Sequence, residues 1–236
     1  MKLKKHDFIE IEYTGRIKDG DVFDTTDEKT AKESGLNTEN ARFGPVVICL
    51  GENHVLPGIE NKIIGSDLGN FKVDLTAENA FGKKSAKLLK LMPMKVFKKQ
   101  DIQPFPGLEV NIDNQYGIVR TVSGGRVIVD FNHPLSGHDV SYEVKVNKKI
   151  TSTLEKARSM FRNELNIVDS KLELKEGTLV IDEDKFPKEV LDAVEKRIKE
   201  VIPAIKKVVL KKDFKEKKPV KKTSAKKKST SKKSEK

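Results

Sequence analysis

The clearest alternation of apolar and polar positions opens the chain. Ile9, Ile11 and Tyr13 share one face of an extended segment and Glu10 and Glu12 the other, which predicts a half-buried antiparallel strand. Asp19-Gly20 is a tight-turn signal, and Val22-Phe23-Asp24 begins the return strand. Residues Thr25 to Gly44 are polar and broken by Ser34-Gly35 and Asn37, as in a long surface loop with one helical turn. Val46 to Leu50 is an apolar strand that Gly51 stops. Val55 and Leu56 are apolar residues in a loop, where polar residues are the norm. They read either as a plug for a small core or as the floor of a shallow pocket. Pro57 suits the first position of a short helix and Gly65 its end. Phe71, Val73 and Leu75 alternate with polar residues, as do Val140, Tyr142, Val144 and Val146, predicting two more strands.

Between those strands the pattern changes. Leu88, Leu89, Leu91, Met92, Met94, Val96 and Phe97 crowd a short span broken by Pro93. A Pro-containing loop, 103–107, follows. Tyr116–Val122 and Arg126–Phe131 make a hairpin around Ser123-Gly124-Gly125. This predicts a β-rich unit of about 50 residues, marginal for independent folding.

A third region has helical spacing at Leu154, Ala157, Phe161 and Leu165, then a short hairpin around Gly177. Phe186-Pro187 opens a long helix with Val190, Leu191, Val194, Ile198, Val201, Ile202 and Ile205 on one stripe, and Pro203 should kink or interrupt it. Helix 151–165 or a second copy of the chain must cover that stripe. From Lys211 onward apolar periodicity is absent, which predicts a disordered tail over 211–236.

Charge sharpens this division. The tail holds thirteen lysines against three acids, whereas the other 210 residues hold 34 basic and 33 acidic side chains. The net +11 therefore belongs to one segment and not to a folded surface. A single cysteine, Cys49, excludes a disulfide within the chain and favours a reducing compartment. No apolar run approaches membrane-spanning length and no signal peptide is evident, so a cytoplasmic location is expected, with no membrane partner.

The common catalytic constellations are missing. His6, His54, His133 and His138 lack metal-ligand spacing and read as surface or turn residues; neither metal nor cofactor is expected. One reaction class needs neither. Rotation about an X-Pro bond meets a barrier of about 20 kcal/mol because amide resonance is lost midway. An apolar pocket disfavours the planar, more polar amide and tolerates the twisted one.

Tyr13, Val22-Phe23-Asp24, Gly51 with Val55-Leu56-Pro57-Gly58-Ile59, Ala80-Phe81-Gly82 and Tyr142-Glu143-Val144 together resemble the FKBP-type peptidyl-prolyl cis-trans isomerases. The match covers residues 1–82 and about 134–148. The unit between them stands where SlyD-like members carry an inserted flap chaperone domain, and Asn132-His133-Pro134-Leu135-Ser136-Gly137 resembles the return from that insert. With its C-terminal extension the chain is most similar to the long archaeal members. The resemblance implies an α+β fold, an antiparallel sheet wrapped on a short helix. The isomerase domain would comprise 1–83 and 134–148, the insert 84–133 and a C-terminal α/β domain 149–210.

It also implies roles. Tyr13, Phe23, Val46, Val55, Leu56, Ile59, Phe81 and Tyr142 would line the proline pocket, with Ile59 as floor and the Leu56 N–H holding the substrate carbonyl. Asp24 would orient groups by hydrogen bonding, with Tyr13 as one partner, and not act as a base. Ile59 stands where small family members have Trp, Val46 where they have an aromatic residue, and Phe81 where a Tyr is usual. In the insert, Leu88, Leu91, Met92, Met94, Phe97 and Phe105, with Leu135, would offer a loose apolar grip on unfolded, proline-containing chains. A catalytically weak peptide-binding scaffold is the alternative. Homodimerisation through the C-terminal domain and weak, salt-dependent nucleic-acid association through the lysine tail are the remaining partner expectations.

Overall fold

A computed structural model describes residues 2–39, 41–167, 171–182 and 186–214. Strand β1 (Phe8–Ile17) is followed by β2 (Val22–Thr25), the short helix α1 (Glu28–Glu33), β3 (Val46–Cys49), helix α2 (Pro57–Ile63) and β4 (Gly69–Leu75). The chain then leaves through β5 (Leu89–Pro93), α3 (Met94–Lys98), β6 (Glu109–Ile112), β7 (Gln115–Ser123) and β8 (Arg126–Asp130). It returns as β9 (Val140–Lys149). The last part comprises α4 (Thr153–Leu165), β10 (Leu172–Lys175), β11 (Thr178–Ile181), α5 (Lys188–Val201) and β12 (Lys207–Leu210). Among the described residues no helix is long and apolar enough to cross a membrane.

The first sheet runs β2-β1-β9-β4, with β3 also pairing β1, and all its pairings are antiparallel. β9 sits between β1 and β4 although the insert separates it from β4 in sequence. The alternation of β1 sends Ile9 and Ile11 inward against Ile59 and Ile63 of α2, with Val73, Tyr142, Val144 and Val146 completing the core. Helix α2 starts where Pro57 supplies a preset φ and no N–H is missed, and ends just before Gly65 at φ +84.

The insert is a separate four-stranded sheet, β5-β8-β7-β6, over a core of Phe97, Val110, Ile112, Val119, Val127 and Val129. Asn132 pins its two crossings. Its amide donates to the Ser85 carbonyl and to Asp130, while its oxygen accepts the Ser85 N–H at 2.8 Å. Arg120 closes the joint on Asp130 at 3.0 Å.

The C-terminal unit differs from the expected hairpin. β10 and β11 do pair antiparallel, but β11 then pairs in parallel with β12 across α5, a β-α-β crossover. The stripe of α5 is covered within the chain: Val194, Ile198 and Val201 pack with Ala157, Met160 and Phe161 of α4. Phe8, Cys49 and Ile150 join the same core, so this unit is fused to the first sheet. Pro203 does not kink α5; the helix has already stopped at Val201, one residue before the Ile202 cap. The ordered chain also runs past the expected boundary at 210. Lys211–Asp213 form a 3-10 turn, Lys211 bonds Asp182 at 2.6 Å, and Lys175 lies 5.4 Å from the Phe214 ring. The rest of the expected tail, 215–236, lies outside the described residues.

Candidate functional site

Between the first sheet and the start of α2 lies a cavity of about 440 Å³. Tyr13 from β1, Asp24 from β2, the loop residues Asn53 to Leu56, Ile59 from α2, Phe81, and Tyr142 from β9 meet there. Ile59 is buried at the floor. Phe23 stands behind the wall and does not line the cavity; its ring meets Phe81 and Tyr142 edge-on, both at 5.7 Å between centroids. Val46 is not brought to the cavity. It lies in β3 opposite Ile11, half-buried in the sheet core.

Two residues that sequence reasoning passed over shape the wall. Gly15 lets the rings close up, because a Cβ there would stand 2.7 Å from Tyr142 Cε1 and 3.0 Å from Phe23 Cζ. His133, read as a surface turn residue, stacks on Phe81 with centroids 4.8 Å apart and planes 3° from parallel. The insert's return segment therefore touches the pocket wall. Asn53 and His54 are further lining residues that the motif reading had not singled out.

The electrostatics suit a dry site. Burial, reinforced by the Asp24 charge, pushes the hydroxyls of Tyr13 and Tyr142 well above the ordinary tyrosine range, so both stay protonated donors. Asp24 stands at the exposed rim, but the protein crowded around its carboxyl raises its pKa. Hydrogen bonds from the Tyr13 hydroxyl and the Thr25 N–H pull it back down. The Leu56 N–H, at the cap of α2, finds no acceptor among the described residues and is open to a ligand carbonyl.

Behind the loop, His6, Cys49 and Glu52 place one ligand atom each within 4.8 Å of one another and are the described residues that could hold a soft divalent cation. Both Glu52 oxygens are already engaged, one by His6 at 2.8 Å and one by Arg197. The Cys49 thiol is pushed up to about 12 by burial and neighbouring carboxylates, so it is no ready thiolate.

In the insert, Leu91 and Phe105 are each 58% exposed, and Leu88, Leu89 and Tyr116 are also open to solvent. Met92, Met94 and Leu135 are half-buried. Phe97 corrects the expectation: it is 0% exposed and forms the centre of the insert core, so it cannot grip a client. Leu89 was not singled out, yet strand alternation puts it on the same face of β5 as Leu91.

Apolar walls, two tyrosine hydroxyls and the open Leu56 N–H meet in this cleft between an antiparallel sheet and a short helix. A family model described as FKBP-type peptidyl-prolyl cis-trans isomerase matches residues 1–98, and one described as FKBP26, IF domain, matches residues 90–135. The short-type peptidyl-prolyl cis-trans isomerase of Methanocaldococcus jannaschii is 28% identical over 145 residues, 61% of this chain and 92% of the relative. SlyD of Haemophilus influenzae is 27% identical over 160 residues, 66% and 76% of the two chains. The FKBP-type 16 kDa isomerase of Escherichia coli is 27% identical over 127 residues, 51% and 81%.

The chain belongs to the FKBP-type peptidyl-prolyl cis-trans isomerases. Within that family it is SlyD-like.

Proposed function

We propose that turnover occurs in the cavity between Tyr13, Phe81, Tyr142 and Ile59. The proline ring of a substrate enters against Ile59 and the aromatic wall. The carbonyl preceding proline accepts the Leu56 N–H. Dehydration of the planar amide and tolerance of the less polar, twisted one lower the barrier. Asp24 acts by orienting the Tyr13 hydroxyl and not as a base, since nothing in the rotation requires proton transfer. The observation that carries this reading is the open Leu56 N–H beside an apolar, ring-walled cavity. We assign turnover to residues 1–83 and 134–148, capture of unfolded chains to the exposed apolar side chains of 84–133, and a supporting role to 149–210.

The deciding measurement is catalysed cis-trans exchange of an Ala-Leu-Pro-Phe-type peptide. The wild type should accelerate exchange, and Phe81→Ala with Leu56→Pro, which deletes the N–H, should not. Acceleration by that variant equal to wild type would overturn the assignment.

A second copy of the chain would seat on the apolar groove between α4 and α5, where Val190 is exposed; light scattering should give a dimer mass for the full chain and a monomer mass for Val190→Glu. Lysine-rich 215–236 would bind RNA weakly, with an affinity that falls steeply as salt rises and vanishes on truncation after Phe214.

A further inference from the structure

The loop that supplies Asn53, His54, Val55 and Leu56 to the cavity does not hold its own shape. Gly51 at φ +86 and Asn53 at φ +58 give it two left-handed bends. Contacts from the first unit hold part of it: Gly51 N–H donates to Glu60 at 3.0 Å, Cys49 N–H donates to His54 Nδ1 at 3.1 Å, and His6 Nδ1 lies 2.8 Å from a Glu52 oxygen. The others come from more than a hundred positions away. Asn163 on α4 reaches His54 Nδ1 at 3.1 Å and donates to the Val47 carbonyl at 2.9 Å. Arg197 on α5 grips Glu164 at 2.8 Å and Glu52 at the same time.

These contacts fix one ring. The one lone pair of His54 Nδ1 is shared between the Cys49 N–H and the Asn163 amide, each at 3.1 Å, which leaves the proton of the neutral ring on Nε2. Nε2 faces Glu164 at 3.5 Å, with no closer partner. The His54 side chain is only 4% exposed. It is a buried peg between the first sheet and α4, and the next two residues are Val55 and Leu56.

We propose that the C-terminal unit is a brace for the substrate loop and that Asn163 and Arg197 are positioning residues for proline turnover. They touch neither substrate nor the rotating bond. They set where His54 sits and hence where the Leu56 N–H points. A site that works by placing one donor against a carbonyl is sensitive to misplacements of about 1 Å. The proposal rests on the reading of the cavity as the site of turnover.

The test uses the full chain in three forms: Asn163→Ala, Arg197→Met and, as a control on the site itself, Phe81→Ala. Proline-peptide exchange is measured alongside the NMR resonance of the Leu56 amide. Asn163 is exposed, so its truncation leaves the core intact. The brace predicts about a ten-fold loss of exchange in Asn163→Ala and in Arg197→Met. It also predicts a shifted or broadened Leu56 amide in a protein that still melts cooperatively. A purely structural role would lower the melting temperature and leave the Leu56 amide and exchange below it unchanged; that result overturns the brace. If Arg197→Met does not fold, Asn163→Ala alone decides. Full exchange in Phe81→Ala would instead overturn the site reading, whatever the brace variants do.

Discussion

Tyr142 reaches the cavity wall because the residue opposite it has no side chain. β1 and β9 pair with Gly15 facing Tyr142, and β1 has a register irregularity at Gly15/Arg16. Gly15→Ala puts a methyl group into the Tyr142 ring edge, a rigid neighbour, at 2.7 Å. Overpacking of this kind costs about 1–3 kcal/mol. We expect a lower melting temperature together with a fall in peptide exchange larger than the loss of folded protein explains. Exchange that merely tracks the folded fraction would show that the ring moves aside without harm. At this scale the sequence was legible where a motif spans neighbouring positions, as in Val55-Leu56-Pro57 or Ala80-Phe81-Gly82. Gly15 and His133 were not legible, because their roles are contacts with rings far away in the chain. Gly15 could have been found only by aligning the registers of β1 and β9.

At the scale of elements, the insert shows what periodicity can and cannot say. The run 88–97 reads as one apolar surface, but strand alternation divides it: Leu89 and Leu91 point out and Met92 leans on the core. The chain then turns into α3 and buries Phe97 completely. No pattern of period two or 3.6 spans a strand, a proline and a five-residue helix, so Phe97 could not be separated from its neighbours. The same limit hid β12, a strand too short to alternate visibly and placed by its parallel partner β11. Phe97 now makes a sharp test. Truncating a fully buried Phe typically costs about 3–5 kcal/mol, which a unit this small cannot absorb. Phe97→Ala should unfold the insert, leave exchange of short peptides near wild type, and depress proline-limited refolding of a protein client. Leu91→Ser, by contrast, should weaken refolding with the insert still folded, as judged by amide exchange. Undiminished refolding by both variants would remove the insert from client capture.

At the scale of the whole molecule, the three units meet at two joints, and each joint is built on a carboxylate held charged. At the insert joint, burial would raise the pKa of Asp130, but the Asn132 amide and N–H, then Arg120, outweigh it and hold the carboxyl below its ordinary 3.8. At the C-terminal joint, burial again opposes, and the Arg197 hydrogen bond and charge, followed by His6, hold Glu52 below its ordinary 4.5. A carboxyl whose folded pKa is depressed contributes stability that is present above its unfolded pKa and is lost as the pH falls through the folded one. Both joints should therefore weaken together on acidification, from roughly pH 5 downward, while the three apolar cores carry no such dependence. Thermal melts across that range should show the units separating in an order that differs from neutral pH. Glu52→Gln removes the titrating group from the C-terminal joint alone. At neutral pH it should cost roughly 1–3 kcal/mol, because Arg197 keeps Glu164 but meets a neutral amide in place of the Glu52 carboxylate. Its stability should then fall less steeply with acid than that of the wild type. An acid slope identical in Glu52→Gln and wild type would mean that the joint carries no linkage, and that Arg197 is held by Glu164 alone.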